Sequence, residues 1–251
     1  MFDAKRLLDQ FMGAQASGQT NQGQGYGGQN FGGQTPDLMQ QAGNMLGGFG
    51  GGALTGGLAG LLLGSKGGRK LAGNALGYGG MAVAGALAYR AYQNWQAGKA
   101  ATPAANAGVP LLPPPADTPF NPASEAEQQT LGRHLLRAMI SAAKADGHID
   151  SAEQANIFAQ MDRLNVSAED KAFVMDELRK PLDVDAVATA ARTPEEAAEI
   201  YTVSLLAIDV DNPSERGYLA LLAARLKLDE KLVAHLHATV ESASEPVPAH
   251  V

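Results

Sequence analysis

Asp150-Ser151-Ala152-Glu153, followed by Arg163-Leu164-Asn165-Val166-Ser167, returns 62 residues later as Asn212-Pro213-Ser214-Glu215, followed by Arg225-Leu226-Lys227-Leu228-Asp229. Each copy opens on a helix-capping residue with an acid three places on, the pattern of a capping box. Ala145 and Ala207 stand at the same offset. Each half therefore reads helix, acidic loop, capped helix, Arg-Leu-x-aliphatic, cap, helix. Two such units pack face to face around one core, which makes the fold all-α.

Working outward, Ser124 with Glu127, Ser167 with Asp170, and Thr193 with Glu196 repeat the cap-and-acid spacing. Pro194 and Pro213 sit at first-turn positions, where a missing N–H does no harm. Seven helices are predicted, near 124–145, 150–164, 168–180, 183–191, 194–208, 213–226 and 229–242. Leu135, Met139, Ile140, Ile149, Ile157, Phe158, Met161, Leu164, Phe173, Val174, Leu178, Tyr201, Leu205, Leu219, Leu222, Leu226, Leu232 and Leu236 are the expected core.

The rest of the chain has another character. Residues 1–122 carry seven Lys/Arg against four Asp, whereas residues 123–251 carry twelve basic against twenty-two acidic residues. Twenty-seven of the thirty glycines precede position 109. The acidic second half offers no basic stripe for phosphates, which argues against nucleic acid as a partner. The absence of cysteine excludes disulfides, zinc–thiolate sites and cysteine nucleophiles.

The expected organisation has six segments. Residues 1–12 form an amphipathic helix with Leu7, Leu8, Phe11 and Met12 on one face, suited to a membrane surface or simply frayed; they lack the apolar stretch of a signal peptide. Residues 13–44 are a Gly/Gln-rich disordered linker. Residues 45–97 are read as a glycine-zipper membrane hairpin. Residues 98–122, rich in proline, are a stiff spacer. The acidic helical domain occupies 123–243, and 244–251 is a disordered tail.

The hairpin reading rests on Gly48, Gly52, Gly56, Gly60 and Gly64, one helical face in an uncharged run. That spacing lets a second helix approach backbone to backbone. Nine glycines between Met45 and Gly64 would cost a solvated helix about 9 kcal/mol relative to alanine. In lipid every peptide group needs an internal partner, and helix wins. Residues 71–89 would return across the bilayer, with Gly73, Gly77 and Gly85 on one face and Tyr89, Tyr92 and Trp95 at the interface. Lys5, Arg6, Arg90 and Lys99 outnumber Lys66, Arg69 and Lys70, which favours a cytoplasmic C-terminal domain.

Chemistry is concentrated in two acidic loops. Asp146, Asp150 and Glu153 occupy the first, and Asp209, Asp211 and Glu215 the second. Carboxylates so grouped suit a hard divalent cation such as calcium. The spacing departs from an EF-hand loop, because Gly147 directly follows the first Asp and Glu153 comes early. Asp150 with Glu153 and Asn212 with Glu215 also read as capping boxes, their carboxylates close to positive helix ends. His148 is the one histidine near other candidate ligands; His134, His235 and His237 read as surface or satisfied residues. No Ser/His/Asp signature or phosphate-cradling loop stands out.

Lys144-Ala145-Asp146-Gly147-His148-Ile149-Asp150-x-x-Glu153, with Asp209-x-Asp211-x-x-x-Glu215 and Arg225-Leu226, resembles the tellurite-resistance TerB-like helical domain over about 125–243. With the Lys5-Arg6-Leu7-Leu8-Asp9-Gln10-Phe11-Met12 start and the glycine-rich apolar segment, the whole chain is similar to the YebE-like bacterial inner-membrane proteins of uncharacterised function. The resemblance implies a seven-helix bundle, bacterial membrane association, a link to envelope or metal stress, and no enzyme activity. It also implies metal binding at the six loop acids. The expected function is therefore a membrane-anchored scaffold with membrane lipid, a further copy of itself through the glycine faces, and an unknown protein as partners. A cation sensor is the alternative, and a metal-assisted enzyme built on the clustered carboxylates a third reading.

Overall fold

The computed structural model describes residues 3–13, 80–103, 111–145, 167–208, 210 and 213–244. Among them all extended regular structure is helical: α1 (Ala4–Gly13), α2 (Gly80–Gln96), α3 (Glu125–Ala143), α4 (Ala168–Arg179), α5 (Val184–Ala188), α6 (Pro194–Leu206), α7 (Pro213–Arg225) and α8 (Glu230–Ser244). Six of the seven expected helices are thus in place, from α3 to α8. The seventh, 150–164, lies outside the described residues, as do the linker 13–44 beyond Gly13 and the first hairpin arm.

Local chemistry sets the ends. Ser167 Oγ accepts from the Asp170 N–H at 3.1 Å, and Thr193 Oγ1 from the Glu196 N–H at 3.1 Å. Asp183 caps α5 through the Ala186 N–H. Ser124 stands at the start of α3 but makes no side-chain cap bond. At the end of α7, Lys227 takes the left-handed conformation with φ 55°. The Lys227 and Leu228 N–H groups then return to the carbonyls of Ala224 and Ala223. Paired return bonds of this kind close a helix C-terminus. They give the Arg-Leu-x-aliphatic motif its structural meaning here.

Helix α6 is the axis. Every residue from Glu196 to Leu206 is buried, and α3, α2, α8, α7 and α5 surround it. Its heaviest packing is on α3. Leu135, Met139, Ile200, Tyr201, Leu219, Leu222, Leu232 and Leu236 meet in one core. Of the expected core, Phe173 is only partly buried, and Ile149, Ile157, Phe158, Met161 and Leu164 lie outside the described residues.

Three sequence expectations change. Residues 80–96, read as the returning arm of a membrane hairpin, form a helix of the bundle core: α2 packs on α8, α6 and α1. Its Ala84, Leu87, Ala88 and Ala91 are buried. The small residues do admit a close neighbour, as expected, but the neighbours are helices of the bundle. No helix among the described residues is long and apolar enough to cross a membrane.

The aromatics Tyr89, Tyr92 and Trp95 are not an interfacial belt either. Tyr89 and Tyr92 meet the Phe120 ring edge to face, with centroids 5.5 and 5.6 Å away, and Trp95 donates to Asp229 at 3.2 Å.

The second change is the proline-rich segment. Residues 111–122 are a strap laid on the bundle, with Pro114 and Phe120 buried. Asn121 Nδ2 donates to the Pro114 carbonyl, and the Asn121 N–H to that of Thr118. The third is α1, which lies neither free nor frayed over its first turns: Ala4, Leu7 and Leu8 are fully buried against α3 and α2. Gly132 lets the chain at Ala4 and Lys5 come so close that a Cβ there would meet backbone at 3.0 to 3.2 Å.

Candidate functional site

The amino end of α3, the strap and the α5–α6 connection enclose an open pocket of about 360 Å³. Asp117, Thr118, Pro119 and Pro122 come from the strap, Glu127, Thr130 and Leu131 from α3, and Arg192, Thr193 and Glu196 from the start of α6. Asp117 has φ 61°, the left-handed region uncommon for a residue with a side chain. Asp117, Glu127 and Arg192 are exposed, so the rim is charged and wet.

The floor is fixed. Glu196 Oε1 accepts from His134 Nδ1 at 2.6 Å, and Oε2 from the Arg192 N–H at 2.9 Å. A carboxylate only accepts, so the His134 proton sits on Nδ1. Burial pushes the Glu196 carboxyl up, but His134, the Arg192 N–H and the Arg192 charge outweigh it and hold it below the usual range. Glu196 is therefore an anchored anion, with both oxygens engaged.

One turn further into the core, Glu199 is wholly buried. Neither of its oxygens has a hydrogen-bond partner. Burial first, then the charge of Glu196, push its carboxyl well above the usual range. Tyr201, another half turn on, shares a 2.9 Å hydrogen bond with His237 Nε2, and burial raises its hydroxyl to about 12.

A second charged group ties the far end of α3 to α4. Glu177 accepts from Arg137 at 3.0 Å and from Lys180 at 2.7 Å, while Lys144 reaches the Glu177 and Lys180 carbonyls. Burial raises the Glu177 carboxyl, but the two cations more than offset it. Arg225 pairs with Asp185 at 3.1 Å on an exposed face.

Of the six candidate metal ligands, only Glu215 is among the described residues. It lies in the first turn of α7 and is 2% exposed. Asp146, Asp150, Glu153, Asp209 and Asp211 lie outside them, as does His148. Among the described residues no group of three acids or histidines stands together as a metal site. His134 and His237 are satisfied, as expected; His235 is 3% exposed with Nδ1 unbonded. Sequence reasoning found Glu196 only as a capping acid. The pocket escaped it, because the walls come from three separate segments and one of them had been read as a spacer.

An all-α bundle with a polar, open pocket is the class this geometry defines. The chain belongs to the family described as protein of unknown function (DUF533), which it matches over residues 48–240. It is similar to a protein of Yersinia enterocolitica described as an uncharacterized protein in the ampR 5' region. The two are 36% identical over 98 residues, 39% of this chain and 70% of the relative. No solved structure matches the chain.

Proposed function

We propose that the protein is a non-enzymatic interaction protein of the bacterial inner membrane, whose TerB-like acidic bundle faces the cytoplasm and receives a basic segment of a partner protein. The observation that carries this reading is the open pocket at the amino ends of α3 and α6, with Asp117 and Glu127 at its rim. Its deepest carboxylate, Glu196, is spent on His134 and the Arg192 N–H, which suits a rigid recognition surface rather than proton transfer. The surplus of ten negative charges over residues 123–251 steers a cationic partner to it.

Lipid attachment falls to the uncharged run 45–64, with its glycine face available for self-association. A role in envelope or metal stress accords with the TerB-like resemblance. A second reading, cation sensing, is favoured by the buried carboxylate of Glu215 at the edge of an acidic loop.

The test uses the full chain on phosphatidylethanolamine/phosphatidylglycerol vesicles. The chain floats with them, and Leu58→Arg releases it. Titration with an oligolysine peptide gives heat that Asp117→Asn with Glu127→Gln removes, whereas oligoglutamate gives none. A wild-type chain that stays out of the vesicle fraction overturns the anchor. Equal heat from the double variant overturns the pocket. Calcium heat lost in Glu215→Gln would favour the second reading.

A further inference from the structure

Gly85 marks the place where α2, α6 and the strap converge. A Cβ on it would stand 2.8 Å from the Phe120 carbonyl oxygen, 3.0 Å from Glu199 Oε1 and 3.5 Å from the Pro114 ring. The missing side chain thus lets a carboxyl oxygen and a backbone carbonyl oxygen crowd the same point on α2. Two acceptors crowded together without a proton repel, and a buried carboxylate with no partner is among the costliest groups a core can hold. A carboxylic acid in the same place is a donor, and the Phe120 carbonyl is the acceptor beside it.

We propose that Glu199 is a proton-operated latch: as a neutral acid it donates to the Phe120 carbonyl and clasps the strap to α2 and α6, and as a carboxylate it releases the strap. The strap supplies Asp117, Thr118, Pro119 and Pro122 to the pocket, so the proton on Glu199 decides whether that wall stands. This consequence rests on the pocket reading of the preceding section; the latch itself does not.

The surroundings suit a proton rather than a calcium ion. Two oxygens fall far short of the six to eight that calcium takes. Glu196 supplies the charge that acts on the carboxyl, and it favours the neutral form. Three groups on the other elements packed against α6 are engaged elsewhere: His134 of α3 with Glu196, Arg137 of α3 with Glu177, and His237 of α8 with Tyr201. His235 of α8 and Glu215 of α7 are also buried, and neither is hydrogen-bonded to Glu199. Asp185 of α5 is paired with Arg225 of α7. Tyr218 of α7 is buried and stays neutral, its hydroxyl raised by burial. Helix α2 presents backbone at Gly85, and the strap presents a carbonyl and a proline ring.

A reporter is built in. Phe120 meets Tyr92 edge to face, and Tyr92 lies tilted against Trp95 at 5.3 Å, the one tryptophan of the chain. Emission of Trp95 in the full chain, without ligand, is followed from about pH 5 to about pH 9, the range over which buried glutamates titrate. Far-UV circular dichroism confirms at each point that the helices persist.

The wild type is expected to show one reversible transition in emission. Glu199→Gln keeps a donor toward Phe120 and cannot ionise, so it stays at the low-pH emission throughout. Glu199→Met, which fills similar space without a donor, shows the high-pH emission throughout; if it fails to fold, the glutamine variant alone decides. A transition that survives in Glu199→Gln overturns the latch, as does a wild type with no transition. Either failure leaves the oligolysine titration unaffected, so the two readings fall separately.

Discussion

His134 and Glu196 are separated by 62 residues, the offset of the internal repeat, and their side chains meet at 2.6 Å. Equivalent positions of two copies touch only where the copies face each other across a local axis. The contact between α3 and α6 accords with the repeat read from the sequence, and Ala145 and Ala207 follow the same helices at the same offset. His134→Ala leaves one oxygen of a buried anion unbonded. It is expected to cost about 2 kcal/mol of unfolding free energy in urea, the typical worth of a hydrogen bond to a charged group. Glu196→Gln paired with His134→Ala should cost less than the sum of the two single changes.

Two glycines in helices separate packing from propensity. Gly217, in α7, has nothing within 4 Å of the position a Cβ would take, so Gly217→Ala is expected to stabilise by about 1 kcal/mol. Gly85→Ala gains the same propensity but drives a methyl into the Phe120 carbonyl and Glu199. A net loss of about 1 to 3 kcal/mol is expected from overpacking. Thermal melts of the two variants, run side by side, should move in opposite directions.

Acidity acts on the fold with two signs. Glu177 and Glu196 are held below the ordinary carboxyl value in the folded state. Their contribution is complete above that ordinary value and is lost as pH falls through the lowered ones. Glu199 is raised. The folded state keeps its proton where the unfolded chain has lost it, so stability falls as pH rises from the ordinary value toward the raised one. The slope approaches about 1.4 kcal/mol per pH unit for one proton. Denaturant titrations across that window should show this slope in the wild type and remove it in Glu199→Gln. The acid-side loss should remain in the variant.

The six helices from α3 to α8 were legible because their signals are local. Thr193 and Ser167 fit their caps from side-chain chemistry alone, and Arg225-Leu226 ends its helix by a backbone motif. What stayed illegible was the identity of the neighbour. The glycine and alanine positions of α2 show that something approaches closely, and the same pattern serves a helix in lipid and a helix beneath Glu199 and Phe120. Leu7 and Leu8 show an apolar face, but not whether lipid or α3 covers it. Five prolines between 111 and 122 look like a spacer, and Phe120 alone hinted that the segment is packed. The pocket joins the strap to α3 and to the start of α6, so no single stretch could announce it.

The docking of α1 has its own test. Gly132→Ala sets a methyl against the Ala4 and Lys5 backbone at 3.0 to 3.2 Å, and main chain there has no rotamer with which to yield. Asp3, held by the Asp170 carboxylate and by Gln129, is pulled out of register with it. Hydrogen exchange at the Leu7 amide, bonded to the Asp3 carbonyl in the wild type, should accelerate at least tenfold for a loss of about 1.4 kcal/mol. The amides of α6 should be unchanged.

Residues 80–96 pack in the helical bundle, and the proposed membrane attachment through residues 45–64 leaves them there. Trp95 sits at the end of that helix, donating to Asp229 and stacked against Tyr92. Its fluorescence in vesicle-bound full chain can be challenged with lipids brominated along the acyl chains. The account predicts a chain that floats with the vesicles and a Trp95 that brominated lipid does not quench. Strong quenching would place Trp95 at the bilayer and contradict it.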